Sequence, residues 1–133
     1  MKRFPEAAGE LILIVDDEEA VRSVMKRILE SHGYRTVAAT RGTEAVACYV
    51  ERGTEISVVL TDLHMPDMGG AEAIAVLREL NPRVRIIVAT GAGSPRGANS
   101  VHKLGVQAYI KKPFDLAHLL VTLQQVLHQE KVR

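Results

Sequence analysis

Short apolar runs alternate with amphipathic stretches along most of this chain. The runs lie at residues 11–15, 36–39, 56–61, 85–90 and 109–110. Runs of this length, bounded by turn residues and separated by helical stretches, are typical of buried strands in a parallel sheet. The pattern therefore predicts five strands.

The stretches between the runs carry apolar residues at helical spacing. This spacing predicts helices over residues 18–32, 43–52, 70–80 and 98–104, and Asp115 is placed to cap a final helix. The positions expected to face inward in the first three helices are Val21, Val24, Met25, Ile28, Leu29, Val46, Tyr49, Val50, Ile74, Leu77 and Leu80.

The region before the fourth predicted helix is rich in residues that break helices. Residues 91–97 contain three glycines and a proline. We therefore expect a shortened, mobile fourth helix over residues 98–104.

The alternation of strand and helix sets the fold class. It predicts an α/β fold, a doubly wound five-stranded parallel sheet with helices on both faces and right-handed crossovers. Residues 1–10 are predicted to form a linker or disordered lead-in, and residues 11–133 a single domain.

Composition narrows the class of protein. The chain has 133 residues, 47% of them hydrophobic and 25% charged, which is the balance of one globular domain. A net charge of +1 gives no reason to expect direct binding to nucleic acid or a membrane surface. No apolar run approaches the ~20 residues of a membrane-spanning helix. The single cysteine, Cys48, excludes an internal disulfide and suits a reducing compartment, so a cytoplasmic location is predicted.

Polar residues follow the predicted strands at their carboxyl ends. Asp16 and Asp17 follow the first strand, Asp62 the third, Thr90 the fourth and Lys112 the fifth. The carboxyl ends of parallel strands share one edge of the sheet, where ligands bind, so these side chains are expected to lie together. Carboxylates suit a hard cation such as Mg²⁺, and a hydroxyl and an ammonium suit phosphoryl oxygens. An aspartate can also act as a nucleophile and form an acyl phosphate.

Each of these residues also has a simpler structural explanation. Acids that follow a strand are often helix N-caps, and a threonine at the end of a strand or a lysine beside Pro113 usually belongs to a turn. Their joint occurrence at the ends of successive strands favours a functional site.

Four motifs are similar to those of response-regulator receiver domains of bacterial two-component signalling. They are Leu-Ile-Val-Asp-Asp-Glu at 13–18, Leu-Thr-Asp-Leu-His-Met-Pro at 60–66, Val-Ala-Thr-Gly at 88–91 and Ala-Tyr-Ile-Lys-Lys-Pro-Phe at 108–114. The resemblance runs from about Leu11 to the end of the chain. It implies a flavodoxin-like strand order of 2-1-3-4-5.

The resemblance also implies a chemistry. Asp16, Asp17 and Asp62, with the backbone carbonyl of His64, would bind Mg²⁺ or Mn²⁺. Asp62 would accept a phosphoryl group from a phosphohistidine of a histidine kinase or a histidine phosphotransfer domain. His64 and Ala92 would flank the phosphoryl group and influence its lifetime.

The signal would leave the site through a second set of residues that the resemblance implies. Thr90 and Lys112 would bind the phosphoryl oxygens. Thr90 and Tyr109 would relay the phosphorylated state to the face formed by the fourth helix, the fifth strand and the final helix. That face would bind a downstream protein partner, and it admits a phosphorylation-dependent dimer.

Several readings stay open at this point. The chain is expected to be a phosphoacceptor with self-phosphorylation and autodephosphorylation chemistry rather than an enzyme. The alternative is a phosphorylation-independent protein interaction module. A flavin carrier is disfavoured because Asp16 and Asp17 would repel a phosphate. An aspartyl phosphatase is disfavoured because its Asp-x-Asp spacing is missing. The sequence at Gly9-Glu10 and at residues 89–91 looks similar to that of receivers at the carboxyl end of hybrid sensor kinases.

Overall fold

A parallel sheet forms the centre of the molecule in a computed structural model that describes residues 8–62, 70–90, 106–111 and 115–128. For Gly70, Thr90, Tyr109 and Lys111 it describes the backbone alone. The strands are β1 (Leu11–Val15), β2 (Arg35–Ala39), β3 (Ile56–Asp62), β4 (Ile86–Thr90) and β5 (Ala108–Lys111). The sheet order is β2-β1-β3-β4-β5, and every pair is parallel.

Four helices lie within the described residues and connect or follow the strands. They are α1 (Glu19–Ser31), α2 (Gly42–Arg52), α3 (Gly70–Leu80) and the C-terminal helix α4 (Leu116–Leu127). The first three lie within one residue of their predicted bounds at each end. Asp115 caps α4 as predicted, because its carboxylate accepts a hydrogen bond from the His118 backbone N–H at 2.7 Å. The fourth predicted helix, 98–104, and the glycine-rich stretch 91–97 lie outside the described residues.

The core has two layers, one on each face of the sheet. All five residues of β1 are buried because helices cover this central strand from both sides. Successive side chains of a strand point to opposite faces. One layer packs β1, β3 and β4 against α2 and α3 through Leu11, Leu13, Val15, Ala45, Tyr49, Val59, Ile74, Leu77 and Val88. The other packs the sheet against α1 and α4 through Ile12, Ile14, Met25, Leu29, Leu60, Ile110, Leu119, Leu123 and Val126. The α/β class with helices on both faces is confirmed.

The pairing of β1 with β3 contains a register shift. Leu11 pairs with Ile56, but the next residue, Ile12, pairs with Val58, so Ser57 is an extra residue in β3. Ile56 belongs to the core layer under α2 and α3, whereas Val58 belongs to the layer under α1 and α4. The extra residue therefore sets which side chains of β3 face each layer beyond it.

The last residues of the predicted lead-in are tied to the domain. The Gly9 backbone N–H donates to the Gly33 carbonyl at 3.1 Å, and the Arg35 N–H donates to the Glu10 carbonyl at 2.9 Å. The Arg35 side chain donates to the Gly9 carbonyl at 2.7 Å. Gly9 and Gly33 have φ values of 85° and 94°, a backbone conformation that residues other than glycine rarely adopt. Residues 8–10 are thus held beside β2, whereas residues 1–7 lie outside the described part of the chain.

Three residues predicted to face inward are exposed instead. Val24 is 53% exposed, Val50 66% and Leu80 48%. For Leu80 the helical geometry gives the reason, since a step of six residues at about 100° each rotates it far from Ile74. The prediction followed a spacing of three residues, which drifts away from the buried face.

None of the described helices has the length and the apolar character that crossing a membrane requires.

Two leucines on α3 provide a matched test of this packing. Leu77 is 1% exposed and Leu80 is 48% exposed. We expect Leu77→Ala to lower the free energy of unfolding by about 2–5 kcal/mol, because it leaves a cavity in the core. Leu80→Ala should lower the free energy of unfolding by less than about 1 kcal/mol, because the leucine side chain buries less apolar area. Urea unfolding of the two variants measures both values, and equal losses would contradict the assigned burial.

Candidate functional site

Three carboxylates meet at the carboxyl edge of the sheet. Asp16 and Asp17 directly follow β1, and Asp62 ends β3. Each offers an oxygen, and these oxygens all lie within 4.8 Å of one another. The pairing of Val15 with Thr61 brings the ends of the two strands side by side. The predicted proximity of the three acids is confirmed.

The three acids, named here the acidic cluster, differ in exposure. Asp16 is 0% exposed and Asp62 is 8% exposed, whereas Asp17 lies in solvent. The cluster is therefore accessible to solvent at Asp17, whereas Asp16 and Asp62 are buried. Carboxylates held this close repel one another, and a hard divalent cation is the ligand that such an oxygen set suits.

The turn after β1 is held by hydrogen bonds to Asp16. The Asp16 carboxylate accepts from the Glu18 backbone N–H at 2.9 Å, and the Asp16 N–H donates to the Ala39 carbonyl at 3.2 Å. The N-cap position of α1 is Glu18, which makes no side-chain capping bond. The simpler explanation of Asp16 and Asp17 as N-caps is therefore wrong, although Asp16 does stabilise the turn.

A basic residue supports the same turn from α1. The Arg22 side chain donates from Nη1 to the backbone carbonyl of Asp16 at 2.8 Å. Arg22 was not identified from the sequence. The available signal was an arginine one turn into a helix that begins beside an acidic pair, which is too common a pattern to single out.

Glu44 is the acidic residue in the first turn of α2. Its carboxylate accepts hydrogen bonds from both the backbone N–H and the hydroxyl of Thr40. These bonds hold the pKa of Glu44 below its ordinary value, and the positive charges of Arg41 and Arg22 lower it further. Arg22 therefore lies within electrostatic reach of both the Asp16 turn and the start of α2.

The other predicted site residues are only partly described. Thr90 ends β4, and the pairing of Asp62 with Ala89 brings the backbone of Thr90 to the edge of the sheet that carries Asp62. Tyr109 is in β5, paired with Val88. His64, Ala92 and Lys112 lie outside the described residues, so their predicted roles stay predictions.

Repulsion within the acidic cluster leads to a test of stability. In the absence of divalent cations we expect Asp17→Asn to raise the free energy of unfolding by about 1 kcal/mol, because one of three neighbouring charges is removed. Glu19→Gln removes the same charge from the first turn of α1. It should instead lower the free energy of unfolding by about 0.3–1 kcal/mol, because an acid at a helix N-terminus is favourable.

Urea unfolding in the presence of a chelator measures both variants. Opposite signs would show that the cluster, rather than the loss of charge in general, controls the effect. A loss of stability in Asp17→Asn would contradict the proposed repulsion.

Comparison with protein families gives a match over most of the chain. The model of the response regulator receiver domain matches residues 12–124. The chemotaxis protein CheY of Thermotoga maritima is 34% identical over 119 residues, which cover 89% of this chain and 98% of that protein. The sensor kinase CckA of Brucella abortus is 32% identical over 90% of this chain, but the matched region spans only 13% of that kinase.

Solved structures agree with this match. The receiver domain protein of Clostridium thermocellum has a TM-score of 0.87 at 28% identity, with 92% of this chain and 97% of that chain covered. A CheY-like receiver domain protein of Methanospirillum hungatei has a TM-score of 0.85 at 31% identity, with 92% and 97% covered.

Receiver domains are phosphoacceptor modules of phosphorelay signalling rather than classical enzymes. In general they bind Mg²⁺ through acidic residues and interact with histidine kinases or phosphotransfer proteins. With a matching family model over residues 12–124 and the family's fold around an acidic cluster, this chain belongs to the response-regulator receiver domain family.

Proposed function

We propose that this chain is a phosphorylation-dependent signalling switch and that Asp62 is its phosphoacceptor. The observation that carries the proposal is the acidic cluster, in which oxygens of Asp16, Asp17 and Asp62 lie within 4.8 Å of one another. Among these acids Asp62 ends β3, in the middle of the sheet. Its strand lies between β1, which Asp16 and Asp17 follow, and β4, which ends at Thr90. These are the residues proposed to hold the cation and a phosphoryl oxygen.

The acidic cluster would hold a divalent cation, Mg²⁺ or Mn²⁺, together with the backbone carbonyl of His64. The donor set suits this role, because hard cations prefer carboxylate and carbonyl oxygens. When bound, the ion offsets negative charge on the carboxylates and on the phosphoryl oxygens. The exposure of the cluster at Asp17 leaves room for entry of the ion from solvent.

In the proposed reaction, a carboxylate oxygen of Asp62 attacks the phosphorus of a phosphohistidine on the partner. A phosphorus–oxygen bond to Asp62 forms as the phosphorus–nitrogen bond breaks, and the imidazole leaves. The Thr90 hydroxyl and the Lys112 ammonium then donate hydrogen bonds to the phosphoryl oxygens. Small phosphoryl donors enter by the same route, and water later releases the group.

The proposed output is a change of the face that contains residues 98–104, β5 and α4. New contacts of Thr90 with the phosphoryl group, and a rotation of Tyr109, would bias this face between two states. On the described part of the face, Leu116 and Val121 of α4 are 39% and 42% exposed. Exposed apolar side chains of this kind support docking of a downstream protein or a phosphorylation-dependent dimer.

The proposed partner on the input side is a histidine kinase or a histidine phosphotransfer domain, and the proposed location is the cytoplasm. The likeness to a small part of a sensor kinase supports a receiver in a hybrid kinase as one context for this domain. Direct binding to nucleic acid is not part of the proposal.

Intact mass spectrometry after incubation with Mg²⁺ and acetyl phosphate tests the phosphoacceptor. We expect one added phosphoryl group on the parent chain and none without Mg²⁺. Asp62→Asn should show no adduct, because an amide oxygen is a much poorer nucleophile than a carboxylate oxygen. Asp115→Asn is the matched control: it makes the same change at the cap of α4, where asparagine caps equally well, and should be phosphorylated normally.

Absence of an adduct on the parent chain, with hydrolysis slowed by cold and rapid quenching, would contradict the proposal. The chain would then be assigned to phosphorylation-independent protein interaction. An adduct that persists in Asp62→Asn would place the acceptor elsewhere.

His64 offers a test of phosphoryl lifetime. An imidazole beside the phosphoryl group can hydrogen-bond the attacking water, whereas Ala92 cannot. We therefore expect His64→Ala to lengthen the half-life of the phosphorylated chain, as followed by intact mass after removal of the donor. His118→Ala, on the exposed side of α4, is the control and should leave the half-life unchanged. An unchanged half-life in His64→Ala would defeat this role for His64.

A further inference from the structure

Arg22 makes a contact with the acidic cluster that its charge alone does not explain. Its guanidinium donates from Nη1 to the backbone carbonyl of Asp16 at 2.8 Å, and the arginine itself is half-buried on α1. That carbonyl belongs to the peptide bond that joins Asp16 to Asp17. A donor fixed on a helix therefore restrains the orientation of the peptide from which Asp17 extends.

The guanidinium also acts on a second group through its charge. Its charge acts on the Glu44 carboxylate, which Thr40 holds in place by two hydrogen bonds. Arg22 thus holds the turn after β1 by a hydrogen bond, and it acts on the start of α2 only through its charge. A planar guanidinium on a helix suits a fixed bond to one backbone carbonyl better than a flexible ammonium does.

The sign of the charge makes this arrangement informative. A positive charge near the acidic cluster opposes the binding of a second cation there. Replacing it by a neutral side chain should therefore tighten cation binding, if charge were its only influence. Loss of a group that orients the turn should have the opposite effect.

We propose that Arg22 is a positioning residue that, through the Asp16–Asp17 peptide, holds the acidic cluster in the arrangement that binds a divalent cation. This inference rests on the proposed function for the use of the cation. It adds a residue outside the acidic cluster, and it assigns the effect to a hydrogen bond to the backbone.

Titration calorimetry with Mg²⁺ on the full chain tests the inference. The parent is compared with Arg22→Met, which keeps an apolar stem but no donor, and with Arg22→Lys, which keeps a charged donor. Arg27→Met is the matched control, because it removes the same charge from an exposed position of the same helix. Circular dichroism establishes that each variant is folded at the temperature of the titration.

We expect Arg22→Met to raise the Kd for Mg²⁺ about tenfold, the lower end of the effect of losing a group that orients metal ligands. Arg22→Lys should recover part of the affinity. Arg27→Met should bind as tightly as the parent or slightly more tightly. If Arg22→Met bound Mg²⁺ as tightly as Arg27→Met, the inference would be overturned. Should Arg22→Met fail to fold, Arg22→Leu, which also has no donor, replaces it, and an unchanged Kd in that variant has the same meaning.

The mass assay on the parent chain separates this inference from the proposed function. A parent that binds Mg²⁺ but gains no phosphoryl group defeats the proposed function, while the order of the Kd values still decides the role of Arg22. A phosphorylated parent with equal Kd values for Arg22→Met and Arg27→Met defeats the role of Arg22 alone. Absence of Mg²⁺ binding by the parent overturns it as well.

Discussion

The parallel pairing of β1 with β3 is the constraint on which the rest of the structure depends. β1 is buried along its whole length, with β2 on one side and β3 on the other. Because the two strands run in the same direction and end side by side, the residues that follow them must share one edge of the sheet. The acidic cluster exists because of this pairing, and no contact among the acids is needed to form it.

The core therefore supports an arrangement that is unfavourable by itself. Three carboxylates within 4.8 Å of one another oppose folding, and apolar packing on both faces of the sheet supplies the compensating free energy. Arg22 extends the arrangement beyond the strands, since its hydrogen bond to the Asp16 carbonyl ties α1 to the turn after β1. Because the paired strands fix where Asp16 and Asp62 lie, a ligand of the acidic cluster has less ordering of these two residues to offset.

Much of this could be predicted from the sequence, because strand ends are marked by a change from apolar to acidic residues. The proximity of Asp16, Asp17 and Asp62 follows from chain direction alone once the strands are known. The contact of Arg22 does not, since it depends on the direction of one long side chain. The exposure of Leu80 was also missed, because a repeated spacing of three residues drifts off the buried face of a helix.

The extra residue at Ser57 divides β3 into two parts with different registers against β1. From Val58 onward, the odd and even positions of the strand have exchanged faces relative to a strand without it. Ile56 and Val58 pair with the consecutive residues Leu11 and Ile12, so deletion of Ser57 alone would leave a regular ladder with Asp62 in the same place. A residue inserted or deleted between Val58 and Asp62 would instead invert the alternation and turn Asp62 away from its partners. The position of the acidic cluster therefore depends on the number of residues from Val58 to Asp62, whereas β3 tolerates a change of length at position 57.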